Sequence, residues 1–393
     1  MQRREMIRAL VLGTGGLAIG GTRVAAAGMQ AGADRVVVSR IELTNSRVIM
    51  QLLIDGQGPY PFMLDTGGFL SLIDNDLARA LKLQMRGSTG GSGVGGSTVM
   101  PLYLANEVVF GGAARQRGVA FAGLPRGFGG GVRGALAAGF LTAIDSDLDF
   151  DTGEWRSYPD GRPERTGYVR IGSAMDDSRS GRAGSRHLYG DAAVNGRSFR
   201  FLLDTGAPSG VSVDQAAAKA LGLLDPARPY VPMKLSGIGG QTGIARLVRA
   251  DSVTFGDHRF DRPLVMIRAA GDNRGTGVSG IIGLNTLRQF NLSTDVRAKA
   301  LWVRWRGADS ALPERYGMSG LWIERDGAGV EIAAVGTGSP AAGADLRVGD
   351  RILDDAFETV LRKIGGRPGT QVSLRIDRAG AAQTVTFALK PYL

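Results

Sequence analysis

Two aspartates stand in the same local sequence at well-separated places in the chain. Asp65 closes the apolar run of "FMLDTGGF", residues 62–69, and Asp204 closes that of "FLLDTGAP", residues 201–208. Two carboxyl groups in contact cannot both ionise at low cost, so they share one proton and titrate together. One member can take a proton from water while the other gives a proton to a carbonyl oxygen. Asp65 and Asp204 are therefore a candidate acid–base pair, provided that the fold brings them together.

The residues that follow each aspartate suit the construction of such a pair. Gly67 and Gly206 have no Cβ atom, so the backbone can approach the carboxyl groups closely there. Thr66 and Thr205 offer hydroxyl groups that could hydrogen-bond across the junction and hold the pair rigid. We expect these four residues to support the pair.

A third Asp-Thr-Gly begins at Asp151, in "DFDTGEW", residues 149–155. It follows an alternating segment with Leu148 and Phe150, it precedes Trp155, and no glycine-rich loop comes after it. This pattern is typical of a hairpin turn after a strand. Asp151 is therefore predicted to be structural.

The surroundings of Asp65 and Asp204 repeat as a unit. Four features occur twice in the same order: a strand–turn–strand signal, a short helical segment, a glycine-rich loop, and an apolar segment that opens on glycine. This indicates duplication, and two equivalent lobes related by a pseudo-twofold axis would bring the two aspartates together. The features lie at residues 55–56, 75–83, 91–98 and 134–150 in the first copy and at 195–196, 214–223, 235–242 and 280–296 in the second.

The two glycine-rich loops are candidate flaps, hairpin tips that close over a bound peptide. Lids of this kind exclude water from a reaction and need flexible hinges. The candidate flap and substrate-binding residues are Gly93, Val94, Gly95, Gly96, Gly237, Ile238, Gly239 and Gly240.

Together these features resemble retropepsin-like and pepsin-like aspartic proteases. The matching stretches are "MLDTGG" at 63–68, "LLDTGA" at 202–207, the two glycine-rich loops, and "GIIGLNTL" at 280–287. The last stretch looks like the family's hydrophobic-hydrophobic-glycine element, which packs beneath the active site. A pepsin-like serine directly after Asp-Thr-Gly is absent from both copies, which favours the retropepsin side.

The resemblance implies a mostly β fold, a two-lobed acid-protease-like β-barrel pseudo-dimer. It also implies an aspartic-type endopeptidase that acts on a polypeptide substrate, with Asp65 and Asp204 as its catalytic residues. The expected boundaries are lobe 1 at residues 36–155, a linker at 156–186 and lobe 2 at 187–306.

One departure from the family pattern lies in lobe 1. Ala137 stands there at the position that Gly283 holds in lobe 2. It motivates an alternative, a catalytically weak or inactive protease-fold protein that binds peptides or acts as a scaffold. The presence of both aspartates and both threonines favours the enzyme.

Residues 316–393 change character and resemble a PDZ domain, a small α+β unit. The specific stretch is "GSPAAGADLRVGDRIL" at 338–353. In PDZ domains a groove between a strand and a helix takes up an extended peptide, and backbone N–H groups hold its C-terminal carboxylate. A structural cap is the alternative, because "RIL" runs almost directly into the helical segment 356–364. The candidate residues for binding a C-terminal peptide are Gly320, Leu321 and Trp322.

The composition excludes several other kinds of site. The chain has no cysteine and two histidines, so a thiol nucleophile, a disulfide or a multi-histidine metal site is not expected. We expect no metal and no cofactor. The net charge of +10 comes from scattered arginines, whereas nucleic-acid binding favours a basic patch, so no nucleic-acid partner is expected. With both lobes in one chain, we expect a monomer.

Residues 1–28 have the three parts of an export signal. Arg3, Arg4 and Arg8 make a positive start, a modestly apolar stretch follows, and "AAA" at 25–27 offers a cleavage site. The paired arginines resemble a twin-arginine signal. The apolar stretch is short for a spanning helix, so no stable membrane span is expected after cleavage. We expect a protein exported to the bacterial periplasm, or tethered to the membrane if the signal is not cleaved.

Overall fold

The described part of the chain is mostly β-structure arranged as two repeated lobes and a C-terminal domain, which confirms the expected fold class for the lobes. This computed structural model describes residues 35–93, 96–125, 127–164, 166–175, 185–237, 240–270, 277–327, 329–353 and 355–393. The predicted export signal at residues 1–28 lies outside these ranges.

Lobe 1 is built on one eight-stranded sheet, and three further strands of the lobe belong to a second sheet described below. Its elements are β1 (Val37–Arg40), β2 (Glu42–Leu43), β3 (Val48–Ile54), β4 (Gln57–Leu64), β5 (Leu72–Asp74), α1 (Asn75–Ala80), β6 (Gln84–Gly93), β7 (Gly96–Phe110), β8 (Ala114–Leu124), β9 (Gly134–Leu136), α2 (Gly139–Thr142), β10 (Ser146–Asp149) and β11 (Glu154–Ser157). The sheet order is β2-β3-β4-β9-β5-β8-β7-β6, and β3 also pairs with β7, so the sheet curls back on itself.

Lobe 2 repeats this plan in a ten-stranded sheet. After β12 (Val169–Ile171) and β13 (Ser173–Met175) come β14 (Leu188–Val194), β15 (Arg197–Asp204), β16 (Val211–Val213), α3 (Gln215–Ala220), β17 (Val231–Gly237), β18 (Gly240–Arg249), β19 (Ser252–Phe255), β20 (His258–Asp261), β21 (Leu264–Ile267), β22 (Gly280–Gly283), α4 (Leu284–Leu287), β23 (Phe290–Asp295) and β24 (Ala300–Trp305). The order is β17-β18-β21-β16-β22-β15-β14-β19-β20, with β13 paired to β14.

Equivalent hairpins lead into the two aspartates. Asp55 and Gly56 join β3 to β4 with φ angles of 48° and 77°, and Asn195 and Gly196 join β14 to β15 with 49° and 76°. Positive φ at both central residues is the type I′ turn that Asp-Gly and Asn-Gly favour, because its twist matches the flanking strands. The turn chemistry therefore sets the register of both strands that end at the site.

A six-stranded sheet joins the lobes. Its order is β1-β11-β10-β23-β24-β12, and β10 of lobe 1 pairs directly with β23 of lobe 2. Leu148 lies opposite Leu292 in this pairing, and both are fully buried. One continuous apolar core runs through both lobes, so the lobes pack as one unit.

The segment predicted as a linker, residues 156–186, is partly strand. It begins with the end of β11 and contains β12, which pairs with β24, and β13, which pairs with β14. These strands have three residues each, too short for the alternation of apolar residues to reveal them.

The C-terminal domain has its own sheet and its own core. A short 3₁₀ turn (Ala308–Ser310) precedes β25 (Leu321–Asp326), β26 (Gly329–Val335), α5 (Pro340–Gly343), β27 (Arg351–Ile352), α6 (Phe357–Ile364), β28 (Gln371–Arg378) and β29 (Ala381–Ala388). The five strands follow chain order in an antiparallel sheet, with β25 and β29 at the edges. Alternating Val372, Leu374 and Ile376 of β28 face the core.

In the described ranges, no helix has both the length and the apolar character needed to span a bilayer.

Candidate active site

Asp65 and Asp204 lie at the ends of equivalent strands. β4 ends at Leu64, immediately before Asp65, and Asp204 is the last residue of β15. The apolar residues just before them are fully buried, so each strand delivers its aspartate directly from the core. Asp204 is buried, whereas Asp65 keeps partial exposure.

A crossed set of hydrogen bonds locks the two strand ends together. Thr66 Oγ1 donates to Leu203 O at 2.7 Å, and Thr205 Oγ1 donates to Leu64 O at 2.8 Å. Each hydroxyl also accepts the backbone N–H of the opposite threonine, at 2.9 Å from Thr205 N and 3.1 Å from Thr66 N. Both threonines are 1% exposed, so these bonds are made without competition from water. The predicted bridge across the lobe junction is present.

Each glycine of the motif faces the carboxyl group of the opposite lobe. A Cβ atom on Gly67 would lie 2.5 and 2.6 Å from the two carboxyl oxygens of Asp204. A Cβ atom on Gly206 would lie 2.5 Å from Asp65 Oδ1 and 2.6 Å from Asp65 Cγ. Contacts this short do not occur for real side chains, so only glycine permits the approach. The two halves of the site interlock across the pseudo-twofold axis.

Each carboxyl group accepts backbone hydrogen bonds from the second and third residues after its aspartate. Asp204 Oδ1 accepts the N–H of Gly206 at 2.9 Å and that of Ala207 at 3.0 Å. Burial, the negative charge of Asp204 and a hydrogen bond with its carboxyl raise the pKa of Asp65 well above its usual range. The backbone N–H groups of Gly67 and Gly68 act in the opposite direction and do not offset this. One shared proton on the pair is the favoured state.

The predicted apolar segments lie beside the aspartate strands. β9 runs parallel to β4, with Leu136 opposite Leu64, and β22 runs parallel to β15, with Gly283 opposite Asp204. The N–H of Asp65 donates to Leu136 O at 2.8 Å. Each segment therefore pairs with the strand that leads to the aspartate of its own lobe.

Ala137 and Gly283 occupy equivalent positions with different partners. Gly283 N donates to the backbone O of Gly210 at 2.8 Å, whereas Ala137 N donates to the side-chain Oγ of Ser71 at 3.1 Å. Ala137 is buried and directly follows Leu136, the last residue of β9. Ser71 was not singled out from the sequence, since a lone serine after "GGFL" gives no pattern.

Both predicted flaps are hairpins in the structure. β6 pairs with β7 up to Gly93 opposite Gly96, and β17 pairs with β18 up to Gly237 opposite Gly240. The four tip residues of the prediction lie outside the described residues: Val94, Gly95, Ile238 and Gly239. We call these hairpins flap 1 (β6–β7) and flap 2 (β17–β18).

The third Asp-Thr-Gly lies in the turn between β10 and β11, as predicted, and it has a partner set of its own. Asp151 Oδ2 accepts from Asn291 Nδ2 at 2.7 Å and from Arg304 Nη2 at 2.9 Å, and Oδ1 accepts from Arg306 Nε at 2.7 Å. Burial opposes ionisation there, but the hydrogen bonds and charges of these partners lower the pKa of Asp151. This residue joins lobe 1 to β23 and β24 of lobe 2.

The candidate peptide-binding residues of the C-terminal domain lie at the start of β25. The N–H of Gly320 donates to Gly317 O at 3.3 Å, and that of Leu321 donates to Ser319 Oγ at 3.2 Å. Trp322 Nε1 donates to Glu324 Oε1 at 3.0 Å. The first two N–H groups are thus already bonded within the domain, so a carboxylate would have to displace those partners.

Among the described residues no cluster of three or more histidine, cysteine, aspartate or glutamate side chains could hold a metal ion.

Comparison with protein families assigns the enzyme class. A family model described as "Aspartyl protease" matches residues 50–141 and residues 191–286. Each match falls in one lobe and contains one aspartate of the pair. The model thus matches the chain twice, once in each lobe, and the chain is an aspartic-type peptidase, a hydrolase.

Solved structures similar to this chain include three proteins at low identity. An aspartic proteinase from Irpex lacteus is 15% identical, covers 69% of this chain and 97% of its own, and has a TM-score of 0.44. A retropepsin-like aspartic protease from Rickettsia conorii is 24% identical, with 35% and 91% covered and a TM-score of 0.27. A protein designated edgp is 10% identical, with 70% and 96% covered and a TM-score of 0.41. No curated protein matches the chain.

Proposed function

We propose that the chain is an endopeptidase whose Asp65 and Asp204 together activate a water molecule. The observation that carries this proposal is the crossed contact at the lobe junction, where Gly67 lies against the carboxyl of Asp204 and Gly206 against that of Asp65. This contact makes the two carboxyl groups close, and the buried threonine bonds make them rigid. Proximity and fixed orientation are what acid–base catalysis on a bound peptide requires.

The two aspartates would divide the proton transfers between them. Asp65, whose pKa is raised, carries the proton and donates it to the carbonyl oxygen. Asp204 takes a proton from the water as the water oxygen bonds to the carbonyl carbon. The resulting diol collapses when Asp204 passes its proton to the amide nitrogen, the C–N bond breaks, and Asp65 recovers a proton from the diol. Atoms and charges balance, and both carboxyl groups return to their starting states.

The flaps would hold the polypeptide substrate in an extended form. Flap 1 carries two exposed apolar side chains, Met85 at the start of β6 and Val99 on β7, and we propose that Val99 contacts the substrate. Closure over the substrate would exclude bulk water from the pair. Because one chain supplies both lobes and both flaps, a monomer is sufficient.

For the C-terminal domain we propose PDZ-like binding of a polypeptide segment. The support is the edge strand β25 with helix α6 beside it, since a peptide strand is added at a sheet edge next to a helix. Fluorescence anisotropy with labelled C-terminal peptides tests this, and no binding across a peptide library would contradict it. Export to the periplasm is proposed from residues 1–28 alone, and fractionation of cells expressing the full chain tests it.

The test of the catalytic proposal is digestion of a peptide library, with products read by mass spectrometry. Asp65→Asn and Asp204→Asn keep the size of the side chain and remove its acid–base function, so each variant should lose cleavage by about 100-fold or more. Asp261→Asn, an exposed carboxylate on β20, is the matched control and should cleave at the wild-type rate.

Full cleavage by either catalytic variant would overturn the assignment of the pair. An inactive wild-type chain that still binds peptides would instead support the scaffold alternative. A statine-type inhibitor separates the two cases, because an intact pair binds it and a non-functional pair does not.

A further inference from the structure

The C-terminal domain contacts lobe 2 at one strand of flap 2. β17 is the edge strand of the ten-stranded sheet, and it lies against β25 and β26 of the C-terminal domain. β17 leads directly from this contact to Gly237 near the flap tip. A contact at its first residues therefore acts on the flap through a single short strand.

Tyr230, just before β17, is held by backbone and side-chain bonds to the C-terminal domain. Its hydroxyl donates to Val335 O at 3.0 Å, and its N–H donates to Thr337 O at 3.3 Å. Its carbonyl accepts the hydroxyl of Tyr392 at 3.0 Å. Gly336 also packs against Tyr230, since a Cβ atom there would meet the Tyr230 backbone.

Lys234 in the middle of β17 makes an ion pair with Glu324 of β25. Glu324 is further oriented by Trp322 Nε1, one of the candidate peptide-binding residues. The hydrogen bond from Lys234 and that from Trp322 lower the pKa of Glu324, so Glu324 is ionised at neutral pH. Lys234 is 21% and Glu324 40% exposed.

The tyrosine contacts also reach the predicted carboxylate loop. The N–H of Gly336 donates to Gly320 O at 2.8 Å, and a Cβ atom on Gly320 would lie 2.9 Å from the hydroxyl of Tyr392. Tyr392 thus touches both the loop before β25 and the residue before β17. The side chain of Tyr392 therefore connects the candidate peptide-binding loop to the residue that precedes β17.

Flap 1 has a different arrangement. β6, the equivalent strand, is also an edge strand, but its main contact among the described residues is with β7, whereas β17 also lies against β25 and β26. The two lobes therefore carry equivalent flaps, and flap 2 is the one that the C-terminal domain contacts through β17.

We propose that the C-terminal domain positions flap 2 for substrate binding, with Tyr230 and Lys234 as the positioning residues. The contact restrains β17, and a peptide bound at β25 shifts that restraint because Glu324 and Tyr392 belong to both surfaces. A domain contact can change an affinity only through such a difference between two states of the flap. The kinetic part of this inference rests on the proposed peptidase function, whereas the restraint itself does not.

Charge reversal in the full-length protein tests the restraint. Lys234→Glu and Glu324→Lys each place like charges opposite one another, and the double variant restores an ion pair of reversed sign. Amide hydrogen exchange should speed up by roughly two- to fivefold over residues 231–237 in each single variant, the range that an ion pair of this exposure supports. The double variant should return to the wild-type rate.

The matched control is the pair Arg259 and Asp261 on β20, at the opposite edge of the same sheet. Arg259→Glu and Asp261→Arg should leave exchange over residues 231–237 unchanged. Equal exchange in wild type and both Lys234→Glu and Glu324→Lys would overturn the restraint. So would a double variant that exchanges as fast as the single variants.

Peptide cleavage then reports on function. The single variants should raise KM about two- to fivefold with kcat little changed, since the flap acts on binding and the pair on chemistry. The double variant should restore KM. A fall in kcat with unchanged KM would overturn the positioning role. Exchange measured in the Asp204→Asn background keeps the two proposals separate, because it reports the restraint even if the wild type cleaves nothing.

Discussion

The aspartate of Asp-Thr-Gly has a raised pKa at one place in this protein and a lowered pKa at another. The groups in contact with each carboxyl decide the direction. Burial and the charge of Asp204 raise the pKa of Asp65, whereas bonds from Arg306 and Asn291 outweigh burial and lower the pKa of Asp151. A carboxyl beside another carboxyl retains a proton, and one beside guanidinium groups stays ionised. Asp-Thr-Gly alone therefore does not define a reactive site.

At the residue scale, the crossed glycine contacts give a sharp prediction. Gly67→Ala or Gly206→Ala would drive a Cβ atom into the opposite carboxyl group, at about 2.5 Å from its oxygen in the present geometry. We expect each variant to lose at least about 100-fold in kcat/KM, because small displacements of reacting groups have effects of that size. The free energy of unfolding should fall by about 1–3 kcal/mol from overpacking.

Gly343→Ala is the matched control, because a Cβ atom there meets nothing within 4 Å. It should keep wild-type cleavage and stability. Wild-type cleavage by Gly206→Ala would show that the pair does not need the close approach.

Much of this residue-scale picture could be predicted. Close backbone approach at Gly67 follows from its lack of a Cβ atom. That Gly67 faces Asp204 of the opposite lobe, and not its neighbour Asp65, depends on how the two lobes dock. The apolar core and the six-stranded sheet that joins the lobes determine how they dock. The sequence around Gly67 contains no information about either.

At the element scale, the duplicated apolar segments provide a matched pair of positions. Gly283 has φ −92°, which any residue can adopt, but a Cβ atom there would lie 2.8 Å from Ala207 O and closer still to Ser209 O. Backbone oxygens cannot move aside as a side chain can. Gly283→Ala should therefore destabilise the protein by about 1–3 kcal/mol and reduce cleavage.

Ala137→Gly at the equivalent position should have a small effect. The change removes one buried methyl group and increases the freedom of the unfolded chain, each worth about 1 kcal/mol or less, and cleavage should persist. Urea denaturation and cleavage assays on both variants test the contrast. A large loss of cleavage in Ala137→Gly with Gly283→Ala unaffected would reverse the assignment.

The elements that could be predicted from the sequence were the longer ones and those bounded by characteristic turn residues. The Asp55-Gly56 and Asn195-Gly196 turns marked their hairpins directly, since few other sequences adopt positive φ twice. The strands β12 and β13 escaped detection because three residues surrounded by Arg, Ser and Gly show no periodicity. Their pairing partners, β24 and β14, lie in lobe 2, so only the tertiary fold makes them strands.

At the scale of the whole molecule, the lobes are held together by more than the active site. The six-stranded sheet that joins the lobes pairs β10 with β23. One end of that pairing is closed by a group of side chains that we call the Asp151 cluster: Asp151, Asn291, Arg304 and Arg306. The sequence predicted a turn at Asp151 correctly. Its arginine partners lie more than 150 positions away, at separations of 153 and 155 residues, so the ion pairs could not be predicted.

The Asp151 cluster should stabilise the joined lobes without taking part in cleavage. The folded pKa of Asp151 lies below its unfolded value, so its contribution is present above about pH 4 and is lost as the pH falls through the folded pKa. The carboxylate is 43% exposed, so Asp151→Asn should lower the free energy of unfolding by only about 0.5–1 kcal/mol at pH 7. Urea midpoints of the two proteins should converge as the pH is lowered towards about 2. A folded Asp151→Asn protein that fails to cleave, as Asp204→Asn is expected to fail, would instead place Asp151 in the catalytic machinery.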